Sequence, residues 1–105
     1  MAFSRAKRRD TNEPEIVNAL VAAGAVVTRL DGDGVPDLLV GFRGRSFLLE
    51  VKLPLGPRGG VHHHGTEGSR GDLTPAQVKW WDAWSGEPAI VVRSPAEALA
   101  AIGAA

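Results

Sequence analysis

The sequence predicts an α/β domain: a mixed β-sheet flanked by helices, in the order helix, strand, strand, strand, long loop, helix, strand, helix. Two observations predict it. Three stretches carry helical apolar spacing, and each opens on an N-cap residue with a proline in the first turn: Asn12 with Pro14, Thr74-Pro75 and Ser94-Pro95. Four short β-rich apolar runs alternate with them, the middle two separated only by a tight turn signal.

Taken in order, residues 1–10 read as a basic arm, with Arg5, Lys7, Arg8 and Arg9 crowded together. A short arm of this kind is a candidate to touch phosphate, and a solvated tail is the plainer use of the same charges. The first helix spans Asn12 to Ala23, with Ile16, Val17, Leu20 and Val21 forming its apolar stripe. Asn12 and Glu15 have capping-box spacing, Glu13 and Glu15 suit the positive end of the helix dipole, and Gly24 stops the helix. Ala25–Leu30 is a strand. Asp31-Gly32-Asp33-Gly34 is a turn; its alternating Asp and Gly lack the spacing and closing Glu of a calcium loop.

The central stretch is a hairpin. Leu38, Leu39, Val40 and Phe42 form one run and Phe47, Leu48, Leu49 and Val51 the next. Runs this continuous predict strands covered on both faces. A two-residue turn at Arg43-Gly44 pairs Phe42 with Arg45, and counting back sets Asp37 opposite Glu50, with Cβ atoms roughly 5 Å apart. Lys52 shares their face. A bulged turn would shift this register.

Residues 54–73 form a long aperiodic loop holding His62, His63 and His64, with Arg58 and Arg70 beside them as candidate DNA contacts. Adjacent histidines on an extended chain point apart, so the loop is expected to bind metal only adventitiously. The helix after Thr74 carries Val78, Trp81 and Trp84 or Ala83 on one stripe and ends at Gly86; Trp81 and Trp84 are expected in the core, although the three tryptophans would also suit a dimer surface. Ala89–Arg93 reads as a buried strand, and a last helix runs through Ile102 to Gly103.

The whole chain bounds the function. Its 105 residues suit one domain with one modest core, residues 11–105. Twelve basic and twelve acidic residues give a net charge of zero, which excludes nucleic-acid binding by bulk charge alone. There is no cysteine, no secretory pattern and no run of membrane-spanning length, which fits a cytoplasmic protein with no membrane partner.

Two opposed carboxylates in a sheltered site repel, and a divalent cation resolves the repulsion. Magnesium takes oxygen ligands and keeps several waters, so Asp37 and Glu50 fit it, with the Val51 carbonyl as a third ligand. Lys52 can position a water or neutralise charge on a phosphate. An ordinary salt bridge from Lys52 to Glu50 or Asp37 is the simpler alternative; the combined pattern of Pro-Asp opening one apolar strand and Glu-Val-Lys ending the next favours the site.

Pro36-Asp37 followed by Glu50-Val51-Lys52 resembles the PD-(D/E)xK nuclease motif. The text from Glu13-Pro14-Glu15-Ile16-Val17 through Gly34-Val35-Pro36-Asp37-Leu38-Leu39-Val40-Gly41 to Thr74-Pro75-Ala76-Gln77 and Trp81 is similar to the VRR-NUC branch, stand-alone phage and bacterial nuclease domains related to archaeal-type Holliday-junction resolvases. The likeness covers nearly all of residues 8–103, leaving out the glycine- and histidine-rich loop. It implies a restriction-endonuclease-like fold and metal-dependent hydrolysis of DNA, with Mg2+ or Mn2+ on Asp37 and Glu50 and Lys52 as the catalytic lysine. It further implies that Glu13 supports the metal or its water and that Gln77 helps organise the site, against the plainer reading of Gln77 as a solvated helix residue. Branched DNA such as a Holliday junction, a homodimer, and a bacterial or phage-infected cell are implied in the same way. A binding module without catalysis and a phage interaction protein remain the alternatives.

Overall fold

The computed structural model describes residues 9–55 and 73–104. Its elements are α1 (Glu13–Ala22), β1 (Val26–Arg29), β2 (Leu38–Phe42), β3 (Arg45–Val51), α2 (Pro75–Ala83), β4 (Ile90–Val92) and α3 (Pro95–Ala101). The strands form one sheet in the order β1-β2-β3-β4. The first three make an antiparallel meander, and β4 joins β3 in parallel. The element order and the mixed sheet agree with the sequence reading.

The hairpin register is the predicted one. Phe42 pairs with Arg45 and Leu38 with Leu49. Continuing the same count by one residue sets Asp37 against Glu50. The turn has φ 51° at Arg43 and 79° at Gly44. Two positive φ values in a two-residue loop match the twist of the flanking strands, so no bulge intervenes.

Burial alternates along β2 and over Phe47–Leu49 of β3, which corrects the expectation of strands covered on both faces; only the end of β3, Leu49 to Val51, is buried without a break. Leu38, Val40, Phe42, Phe47, Leu49 and Val51 are buried against Ile16 and Leu20 of α1 and Ala98 of α3. Each fully buried aliphatic side chain there contributes about 1.5–3 kcal/mol. On the opposite face Leu39 is 39% exposed and Leu48 is half-buried. β4 is an edge strand in which only Val92 is fully buried, so the predicted buried strand is covered less than expected.

Two helix details also differ. The Asn12 side chain makes no cap; its amide donates to the backbone carbonyls of Lys52 and Arg93, both at 3.0 Å, and so ties the start of α1 to the ends of β3 and β4. The predicted capping box at Asn12 and Glu15 is therefore absent. Helix α2 stops at Ala83, short of Gly86, and none of its residues is buried. The expected core positions of Trp81 and Trp84 are corrected: the core cluster contains no tryptophan, and Trp84 is 44% exposed. Helices α1 and α3 fill the core on one face of the sheet, so the tryptophans of α2 have no place in it. No helix among the described residues is long and apolar enough to cross a membrane.

Candidate active site

The ends of β2 and β3 deliver two acids into one sheltered corner. Asp37 is 8% exposed and Glu50 3%. Both line a cavity of about 240 Å³, together with Val51, Lys52, Asp10, Gln77 and the turn around Gly34. Asp37 is fixed by the chain itself, since its Oδ2 accepts the Val51 backbone N–H at 2.8 Å. That bond joins the Pro-Asp and Glu-Val-Lys segments.

Gln77 closes the site from above. Thr74 and Gln77 form a full capping box at the start of α2, so the Gln77 side chain is positioned by its own helix. Its Oε1 accepts from the Thr74 N–H and from Lys52 Nζ, both at 2.9 Å, and its Nε2 donates to Glu50 Oε2 at 2.7 Å. Lys52 Nζ stands 3.9 Å from the same carboxylate oxygen. The closest recorded contact of Lys52 is thus Gln77 rather than a direct salt bridge. The helix docks closely because the Asp31–Gly34 turn has no side chain where it meets α2: a Cβ on Gly34 would collide with the Ala76 carbonyl, and its φ is 81°.

Glu13 sits elsewhere. It is 1% exposed, but it is not among the residues lining the cavity. Its carboxylate is paired with Arg29 Nε at 2.8 Å and lies 3.5 Å from Arg9. The same Arg9 nitrogen stands 3.5 Å from Asp37 Oδ1, and its other terminal nitrogen donates to Leu30 O and pairs with Asp31. Glu13 is therefore linked to Asp37 through the Arg9 guanidinium. Arg9, expected in a phosphate-binding arm, is drawn into the fold beside Glu13, Asp31 and Asp37. Arg5, Lys7 and Arg8, and Arg58, Arg70 and His62–His64 of the loop, lie outside the described residues.

The acid that sequence reading missed is Asp10, grouped there with the basic arm. It lines the cavity beside Asp37 and Lys52. Burial pushes its carboxyl pKa upward, the charge of Asp37 adds to this, Lys52 pulls it back in part, and Glu13 raises it slightly. An acid directly after Arg8-Arg9 and just ahead of a helix start was the available signal.

Among the described residues, no three Asp, Glu, His or Cys side chains converge into a ready-made metal cluster. The carboxylate residues that line the cavity are Asp10, Asp33, Asp37 and Glu50, without sulfur, beside room for water. Such a set suits a hard divalent cation that keeps part of its hydration shell. No family model, curated protein or solved structure matches the chain.

Proposed function

We propose that the protein is a metal-dependent endonuclease of the PD-(D/E)xK kind, most similar to VRR-NUC domains, acting on branched DNA. The observation that carries this is the single hydrogen-bonded constellation of Asp37, Glu50, Lys52 and Gln77 around one cavity. Three separated sequence segments supply it, and a salt bridge alone would need only two of those residues.

Asp37 and Glu50 would hold Mg2+ or Mn2+, with the Val51 carbonyl as a further ligand. The ion supplies an acidified water and charge neutralisation at a phosphodiester. The chain's own groups do the rest. The Val51 N–H holds Asp37 in place. Gln77 sets the distance between Glu50 and the lysine, so that the ammonium faces the cavity rather than collapsing onto the carboxylate. Lys52 then meets the negative charge that grows on the scissile phosphate. Glu13 anchors Arg9 and Arg29 behind the site.

Cleavage tests the reading. A labelled four-way junction and a linear duplex are incubated with and without magnesium, beside Lys52→Ala and Asp37→Asn. The expected result is magnesium-dependent cutting, preferring the junction and lost in both variants. Uncut substrates with magnesium and with manganese would end the enzyme reading.

One observation favours a second reading, a nucleic-acid-binding module. The Glu50 carboxylate already accepts from Gln77, and Arg9 stands beside Asp37, so protein groups alone partly balance both acids. Junction binding without cutting would select that reading.

A further inference from the structure

A third acid faces the catalytic cavity, and it is not the one expected in α1. Asp10 lines the cavity with Asp37, Glu50 and Lys52, and Glu13 does not. Glu13 is committed to guanidiniums, with Arg29 at 2.8 Å and Arg9 at 3.5 Å. The Asp10 carboxylate, by contrast, takes no hydrogen bond and forms no ion pair among the described residues. The charge that acts on it most is Asp37, of the same sign.

The chain nevertheless fixes Asp10 on both sides. Arg9 Nη2 donates to the Leu30 carbonyl at 3.0 Å. Two residues after Asp10, the buried Asn12 donates to the Lys52 and Arg93 carbonyls, both at 3.0 Å. The Glu13 N–H donates to the Asp10 carbonyl at 3.0 Å, which closes the turn leading into α1. The bond from Asn12 ties this turn to the main chain of Lys52. A solvated tail would need none of these bonds. Holding an acid without a partner beside Asp37 costs stability in the metal-free chain, and a cation in the cavity offsets that cost.

Asp10, Asp33, Asp37 and Glu50 all line the cavity, but among the described residues no three such groups converge closely enough to share one ion. A hard divalent ion on Asp37 and Glu50 keeps several waters, whose hydrogens need acceptors. We infer that Asp10 is a positioning residue: its carboxylate accepts hydrogen bonds from the hydration water of a divalent ion held by Asp37 and Glu50, the part expected of Glu13. Asp33 does not share it, since it is exposed at the Asp31–Gly34 turn, where solvent screens its charge. Glu13 serves instead as the anchor of Arg9 and Arg29, and so pins the segment that carries Asp10. The role rests on the nuclease reading and deepens it, adding to the metal site an acid that precedes α1 rather than one within it.

The test is isothermal titration of the full chain with Mn2+, scoring the binding event that Asp37→Asn abolishes, with thermal melting of the same proteins in parallel. Asp10→Asn should weaken manganese binding about tenfold or more, and Asp10→Glu should restore part of it. The metal-free Asp10→Asn protein should melt no lower than wild type at neutral pH, while the gain in melting temperature from manganese shrinks. Asp33→Asn and Glu13→Ala should leave manganese affinity within about threefold of wild type. A purely structural role for Asp10 would move the metal-free melt and not the affinity. The role is overturned if Asp10→Asn binds manganese as tightly as wild type, or if its metal-free form melts well below wild type. It is also overturned if Asp33→Asn or Glu13→Ala weakens binding equally, or if wild type takes up no manganese at Asp37. Cleavage with magnesium separates the two claims. Asp10-dependent manganese binding without cutting sinks the nuclease and leaves the metal role, and cutting with Asp10-independent binding does the reverse.

Discussion

Gln77 donates a 2.7 Å hydrogen bond to Glu50 while its carbonyl oxygen holds the Lys52 ammonium at 2.9 Å. One neutral amide thus bridges the carboxylate and the ammonium, which stand 3.9 Å apart. Gln77→Ala should cut the single-turnover cleavage rate on junction DNA by roughly 10- to 100-fold, since hydrogen bonds to charged groups contribute about 1.5–3 kcal/mol. Gln77→Glu should do no better, because it sets a second carboxylate against Glu50. Full activity in Gln77→Ala would show that the amide only caps its helix.

Gly34 should be intolerant of the smallest side chain. Alanine there faces a positive φ and the Ala76 carbonyl together, and α2 must shift to relieve the collision. Gly34→Ala is expected to cost about 1–3 kcal/mol in chemical denaturation and to lower activity beyond what lost folding explains. Gly44→Ala is the control. Its φ is also positive, but nothing lies near its missing Cβ, so only the stability term should appear.

Glu13 and the cavity residues should separate by phenotype. Glu13→Ala leaves Arg29 and Arg9 facing each other without their shared acid, and should destabilise the fold by about 2–3 kcal/mol, discounted from the fully buried case because Arg29 is half-exposed. Asp37→Asn and Lys52→Ala should lose activity with little change in denaturation midpoint. A Glu13→Ala protein of normal stability and no activity would return Glu13 to the metal site.

Asp10 gives a pH signature. Its pKa is raised on folding, first by burial and then by Asp37. The unfolded chain therefore ionises it first. The native state is relatively favoured while both forms are protonated and loses that advantage as pH rises from the unfolded to the folded value. Asp10→Asn should raise the melting temperature at neutral pH, with the gain fading in acid below the ordinary carboxylate pKa. A gain independent of pH would contradict this.

Much of the site was legible in the sequence because it depends on local rules. The register of Asp37 against Glu50 follows from a two-residue turn, and Arg43-Gly44 adopted the one geometry that keeps it. Gln77 was harder to read, since its capping role and its contacts with Glu50 and Lys52 use the same side chain. The misreadings arose where tertiary placement overrides pattern. Apolar runs do not say which face a helix will cover, so Leu39 and Leu48 were expected to be buried. Tryptophans at helical spacing do not say that α1 and α3 already fill the core. Arg9 and Asp10 read as part of a charged arm because only the folded chain brings Asp31 and Asp37 beside them.

The most direct test of the central claim is a crystal structure grown with Mn2+, its anomalous scattering used to locate the ion. One manganese peak is predicted between the Asp37 and Glu50 carboxylates, at coordination distance from both, with Lys52 and Gln77 in the surrounding shell. Saturating manganese with no peak at those acids, or a peak only elsewhere, would contradict the account.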